Sequence, residues 1–293
     1  MKNNFIKYLF LFIVFFTNTP LISDEIIFET EEINITKEGQ ITEARNGKVN
    51  FIQENFEVSG NSFVYDKKTK ILTVTNSKSV LNNDNLIIEA DEITYNRNSL
   101  EIVAKNNVKL KDLSNKSSIS SEKLIYNLKS KKVISNTPSK FKDNHDNSLY
   151  TGNFIYDLND SIAKIDSLKI VDSLRNEYSL KKSFYNTKSK KLVGKDVFVD
   201  LGKAASQENK FRIKSLGIEK EEKKTILKKA VFTPCKKTDT CPPWQISAET
   251  ITHDQEKKTM YYKNAWLEIY DKKILYFPKF FHPDPTVKRQ SGF

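Results

Sequence analysis

The chain has 293 residues, with 48 Lys or Arg against 37 Asp or Glu, a formal net charge of +11 and 38% hydrophobic residues. Its 19 Phe and 12 Tyr speak against disorder, and 2 Cys cannot build a disulfide-rich scaffold. With only His145, His253 and His282 a histidine-built metal centre is not expected, and no apolar run reaches the length of a membrane helix.

The chain opens with Lys2 and Lys7, an unbroken apolar run from Tyr8 to Phe16, and a polar exit from Thr17 to Ser23 containing Pro20. That order predicts a secretory signal peptide over residues 1–23 and an exported protein. Its removal takes Lys2 and Lys7 with it and lowers the charge from +11 to +9.

Beyond residue 24 the strongest signal is repetition. Phe63-Val64-Tyr65-Asp66, Ile93-Thr94-Tyr95-Asn96, Leu124-Ile125-Tyr126-Asn127, Phe154-Ile155-Tyr156-Asp157 and Ser183-Phe184-Tyr185-Asn186 place tyrosines 30, 31, 30 and 29 residues apart. Each Tyr-Asp/Asn is followed by a Lys/Ser/Asn stretch, then by a second apolar run such as Ile71–Val74 or Leu100–Val103. A third follows, such as Val108–Leu110, Leu168–Ile170 or Val197–Val199. β-Branched and aromatic residues at period two predict strands, and Asp or Asn directly after Tyr predicts a turn. Lys220–Lys229 has a helical composition but occupies a turn-and-strand slot, so it is read as a long turn plus strand.

A unit of about thirty residues cannot bury its own apolar face, so neighbouring units must stack. The expected fold is all-β: an elongated open β-jelly roll or β-solenoid of stacked repeats. Its inward faces either pack as a dry core or leave an apolar slot. The candidates for lining such a slot are Phe63, Tyr65, Ile93, Tyr95, Leu124, Tyr126, Phe154 and Tyr156, joined by Ile102, Val108 and Leu110. Each methylene buried in a slot of this kind is worth about 0.8 kcal/mol, so acyl chains are suitable occupants. Only five of the basic residues are Arg, and the Lys are interspersed with acids at turn positions. Nucleic acid is therefore not an expected partner.

From Phe232 the sequence changes character: Phe232-Thr233-Pro234-Cys235, Cys241-Pro242-Pro243-Trp244-Gln245-Ile246-Ser247-Ala248, and Lys263-Asn264-Ala265-Trp266-Leu267-Glu268-Ile269. A Pro-rich segment then ends Lys288-Arg289-Gln290-Ser291-Gly292-Phe293. This combination resembles the lipopolysaccharide-assembly outer-membrane protein family (LptD, also called OstA), and the repeats resemble the periplasmic β-jelly roll that family shares with the LptA bridge protein. The resemblance implies a lipopolysaccharide-binding periplasmic domain over residues 24–270 and a junction over residues 271–293 leading to an outer-membrane β-barrel, which this chain lacks. It further implies a location at the periplasmic face of the Gram-negative outer membrane. The implied partners are lipopolysaccharide, an LptA-like bridge and, through the missing barrel, an LptE-like lipoprotein plug.

On this resemblance the domain receives acyl chains in its groove and passes them on, with no enzymatic activity and no cofactor. The chain has no G-x-x-x-x-G-K-[ST] loop for ATP, so movement must be driven by upstream partners. Ile33, Ile35, Ile41 and Val49 are the candidates for a free N-terminal edge that pairs with the bridge. Cys235 and Cys241 are disulfide candidates, either with each other, closing a small loop worth roughly 2 kcal/mol, or with absent barrel cysteines. A zinc site built from them with His253 or His282 lacks suitable spacing. The alternatives are a free LptA-type bridge, which has no use for the Trp244 and Lys288–Phe293 motifs, and a structural repeat protein or adhesin with a dry core.

Overall fold

A computed structural model describes residues 26–81, 84–142, 148–172, 176–201, 211–233, 243–284 and 287. The expected signal peptide, His145, Cys235, Cys241 and the Lys288–Phe293 motif lie outside the described residues. Among those described there is no α-helix; nineteen strands form one sheet. They are β1 (Ile26–Thr36), β2 (Ile41–Phe51), β3 (Phe56–Asp66), β4 (Ile71–Leu81), β5 (Leu86–Asn96), β6 (Glu101–Asp112) and β7 (Ser117–Asn127). Next come β8 (Lys132–Ser135), β9 (Ser139–Lys142), β10 (Ser148–Thr151), β11 (Asn153–Asp157), β12 (Ile162–Val171), β13 (Glu177–Asn186) and β14 (Leu192–Leu201). The last are β15 (Phe211–Lys220), β16 (Lys224–Thr233), β17 (Trp244–Asp254), β18 (Thr259–Ile269) and β19 (Lys272–Pro283).

The sheet is an antiparallel meander. β7 pairs with β8 at one end and β9 at the other, so these two are one interrupted strand. β10 and β11 likewise lie end to end along β12. Pro138, which has no amide proton for a ladder, stands at the first interruption and Gly152 at the second.

The buried positions reveal how the sheet closes on itself. In β12 they are Ala163, Ile165, Leu168 and Ile170; in β17 they are Ile246, Ala248, Ile251 and His253. A straight strand would keep an even spacing along one face. The odd step in the middle marks an extra residue at a corner, after which the inward face resumes. Left-handed residues occupy these corners: Asn46 (φ 48°), Asn76 (φ 47°), Ser167 (φ 57°), Asp196 (φ 56°), Lys229 (φ 49°) and Asn264 (φ 50°). Asn tolerates this geometry best among residues with a side chain, and it also ties the corner to the next strand. Asn46 donates to Glu31 at 2.9 Å, Asn107 to Asp91 at 2.8 Å, and Asn264 to Glu249.

Each strand therefore serves two walls that meet along a spine of corners and face each other across the core. The first wall ends at the turns 37–40, 67–70, 97–100, 128–131 and 158–161; the second ends at turns such as 52–55 and 113–116. Rings meet across the gap: Phe51 and Tyr95 at 4.8 Å edge-on, Phe141 and Tyr185 at 5.9 Å, Phe232 and Tyr262 at 6.1 Å. Phe51, Phe141 and Phe232 stand on the second wall and the tyrosines on the first.

The first-wall turns are built as their residue types require. The carboxylate oxygen of Asp66 accepts the amides of Lys68 and Thr69; Asn96 accepts from Asn98 and Ser99, Asp157 from Asn159, and Asn186 from Lys188 and Ser189. Successive turns are laced by backbone bonds, Arg97 to Lys70 at 3.0 Å, Leu128 to Leu100 at 2.8 Å and Leu158 to Lys131 at 3.0 Å. Side chains add to this, with Asn98 donating to the Thr69 carbonyl and Asn159 to that of Ser130.

In Lys220–Lys229 the strand is present as expected but the turn is shorter than expected: Lys220 ends β15, residues 221–223 turn, and β16 begins at Lys224. The second and third apolar runs of each repeat, however, are not separate strands. Glu101–Val103 and Val108–Leu110 are the two halves of β6, bent at Asn106 and Asn107. Each repeat of about thirty residues is thus one hairpin of two bent strands. Tyr270–Asp271 form a tight turn, and β19 beyond it is hydrogen-bonded to β18.

Gly47 lies at the first corner with φ 154°, and an added Cβ would stand 2.2 Å from the Glu29 carbonyl oxygen. That obstacle is backbone and cannot swing aside. Gly47→Ala is expected to lose about 1–3 kcal/mol in urea unfolding, because β1 must shift to admit the methyl.

Candidate functional site

The slot candidates converge. Phe63, Tyr65, Ile93, Tyr95, Ile102, Val108, Leu110, Leu124, Tyr126, Phe154 and Tyr156 are all buried in one continuous apolar core. Residues from both walls contribute, with Val108 and Leu110 on the second and the tyrosines on the first. The side chains fill the space between the walls to a large extent. A partly open cavity of about 20 Å³, room for roughly one water, lies between Ile119, Phe141, Phe154, Tyr156, Ile165 and Tyr185. An occupant as large as an acyl chain would have to part the walls.

What holds the walls together at their free lips is polar. The Arg97 guanidinium reaches Glu54 at 2.6 Å, their side chains only 7% and 10% exposed, and the Tyr95 hydroxyl donates to the same carboxylate at 3.3 Å. Tyr126 donates to Asp84, which also takes the Lys131 ammonium at 2.8 Å. Tyr156 donates to Asp112 at 3.2 Å and lies 3.1 Å from the Thr187 hydroxyl. Farther along, Asp172 accepts from Tyr178 and from Gln255, both at 3.2 Å, while the Lys220 ammonium sits 5.1 Å over the Tyr178 ring. His253 and Asp284 make a buried contact at the end of the row. Four second-wall acids (Glu54, Asp84, Asp112, Asp172) each engage a tyrosine hydroxyl, and partners 41 to 44 residues apart join the lips at the first three.

This geometry sets the tyrosine ionisation. Burial pushes the Tyr95, Tyr126, Tyr178 and Tyr262 phenols well above their usual range, with the carboxylates beside the first three adding to it; Tyr156 rises to about 12, chiefly through burial. Lys220 shifts the opposite way because burial disfavours its charge. A phenol whose pKa is raised by folding contributes stability that is fully present below its unfolded value near ~10 and lost as pH rises through the folded one. Stability is expected to fall steeply above pH ~10, by about 1.4 kcal/mol per latched tyrosine at pH ~11. Urea unfolding at a series of pH values, read beside tyrosinate absorbance, checks this; a flat stability profile across that range would contradict it.

The edge residues divide. Among the described residues β1 is bonded along one side only, to β2, and Ile33 and Ile35 on it are 55% and 57% exposed. Ile41 and Val49 belong to β2, which is bonded on both sides, and Val49 is in the core. They are not edge residues; the corner at Asn46 turns Val49 inward. Among the described residues β19 is the second strand bonded on one side only.

Two features were not anticipated from sequence. The lip acids were missed because their partners lie far away in the chain. A hydroxyl cluster of Ser121, Ser135, Thr137 and Ser139, with contacts of 2.8 to 3.2 Å, plugs the strand interruption at Pro138; it was hidden in an ordinary Ser-rich run. No protein-family model matches the chain, and no curated protein matches it.

Proposed function

We propose that the chain is a lipopolysaccharide-transport domain of the LptD type, an open jelly roll whose two walls part along their lips to take up acyl chains. The observation that carries this reading is the continuous apolar interior, joined at its lips by side-chain latches while the spine is held by backbone ladders. Latches of this kind are the parts that can exchange partners without breaking the sheet. Sugars and phosphates of the lipid remain at the Lys-bearing lip. Its place is the periplasmic face of the outer membrane. The free edge of β1 pairs with an LptA-like bridge, and the chain hands lipid onward to an outer-membrane barrel that engages an LptE-like plug. It acts by binding, without catalysis or cofactor.

A photo-crosslinking residue at Tyr126, with a control at exposed Lys129, tests the reading in the presence of lipopolysaccharide. Lipid adducts at position 126 and none at 129 are expected. The filled interior favours one other reading, a structural repeat protein with a permanently dry core. Absence of adducts at 126 in a chain shown to be folded by circular dichroism would select it.

A further inference from the structure

We infer that the outward face of the β18–β19 hairpin is a docking surface for a membrane bearing anionic headgroups. Among the described residues, four of the seven exposed aromatic side chains fall on this hairpin: Tyr261, Tyr270, Tyr276 and Phe281. Two cross-strand pairs organise them. Tyr261 faces Phe281 with ring centroids 6.1 Å apart, and Trp266 faces Tyr276 at 5.0 Å. The outer face of a sheet with one buried side is ordinarily polar, and an aromatic patch there marks an interaction site.

The charges on this face name the partner. Lys263 and Lys279 stand directly opposite each other between the two aromatic pairs, both exposed. Like charges in that register destabilise a sheet. Lys272 and Lys273 add to them at the hairpin end, and the Lys273 ammonium lies 5.4 Å over the Trp266 ring. Over residues 259–283 the acids are Glu268 and Asp271. Glu268 is buried, accepting from Gln245 and Ser247. Asp271 is exposed at the hairpin turn, and among the described residues no ion pair joins these four lysines, so the face presents aromatic rings together with ammonium groups outside ion pairs. Trp and Tyr side chains are amphipathic and settle at headgroup level, where long Lys side chains reach the phosphates. A second copy of the chain is a poorer fit, because a two-fold contact through this face would set lysines against lysines.

The inference stands apart from lipid uptake by the interior and is tested separately. Trp266 lies on this face, while Trp244 shares the face of Ile246 and Ala248, so the measurement uses a Trp244→Phe background in which Trp266 is the one emitter. The purified full chain is mixed with phosphatidylcholine vesicles carrying about one-quarter phosphatidylglycerol and brominated acyl chains. Quenching of tryptophan emission and co-sedimentation are expected, both weakened by salt and by leaving out phosphatidylglycerol. Tyr276→Ser/Phe281→Ser is expected to weaken binding about tenfold through lost apolar burial. Lys263→Glu/Lys279→Glu is expected to weaken it by a similar factor and to abolish the salt dependence. These side chains are exposed, and circular dichroism checks that each variant folds. Vesicle binding without tryptophan quenching, or binding unchanged in both variants, would overturn the inference. So would self-association abolished by the same substitutions without any quenching, which would assign the face to a second copy.

Discussion

Phe51→Ala is expected to cost about 3–5 kcal/mol, among the largest effects of any single truncation in the chain. The ring is 1% exposed, stacks on Phe56 at 5.5 Å and meets Tyr95 edge-on at 4.8 Å, so it fills the contact between the walls rather than within one. The Arg97 guanidinium lies 5.9 Å from its centroid, which places the ring directly beneath the Glu54 latch. Collapse into the vacated space is opposed by two walls of the sheet whose backbones are fixed by ladders on both sides. Urea unfolding with an unchanged slope would give the value. A loss below about 1 kcal/mol would mean that the walls do not press on each other at this point.

Glu54→Ala is the second large effect, at about 3–5 kcal/mol, since it removes the carboxylate from a buried guanidinium. The same pair replaced together, as Glu54→Leu/Arg97→Met, is expected to come close to the parent, because desolvation of both charges offsets most of their attraction. A double-mutant cycle therefore separates the latch from its surroundings. Phe51 and Glu54 are close enough to share partners, so their effects should not add. If the single Glu54→Ala change were as mild as the double replacement, the latch would have to be treated as an ordinary exposed ion pair.

The parts of this architecture that were legible in the sequence are the local ones. Asp66, Asn96, Asp157 and Asn186 announced their turns because each bonds to amides two or three residues away. The inward tyrosines were legible for the same reason: a fixed spacing to those turns makes Tyr65, Tyr95, Tyr126 and Tyr156 equivalent positions on one wall. The corners were not recognised, although their signal exists. In β4 the buried set runs Leu72, Val74 and then Ser77, Ser79, a change of phase across left-handed Asn76. In β6 the corresponding bend, at Asn106 and Asn107, was read as the gap between two separate runs, Leu100–Val103 and Val108–Leu110.

The latches were beyond reach for a different reason. Glu54 meets Arg97 only because the walls fold face to face with a slip of three strands, and no local pattern encodes that slip. Whether the interior is filled depends on side-chain volumes across two walls, which periodicity does not measure. Lys263 opposite Lys279 became informative only once their register was known.

If the lips part for lipid, as proposed, a distance measured across them must lengthen when lipid binds. Spin labels at Leu113→Cys and Asp160→Cys, with Cys235 and Cys241 replaced by Ser, sit in the turns on either side of the Tyr156–Asp112 contact. Lipopolysaccharide is expected to shift the inter-label distance distribution to longer values, and Tyr156→Phe to make the shift easier to reach. A distribution unchanged at saturating lipopolysaccharide would contradict it and leave the interior as a closed core.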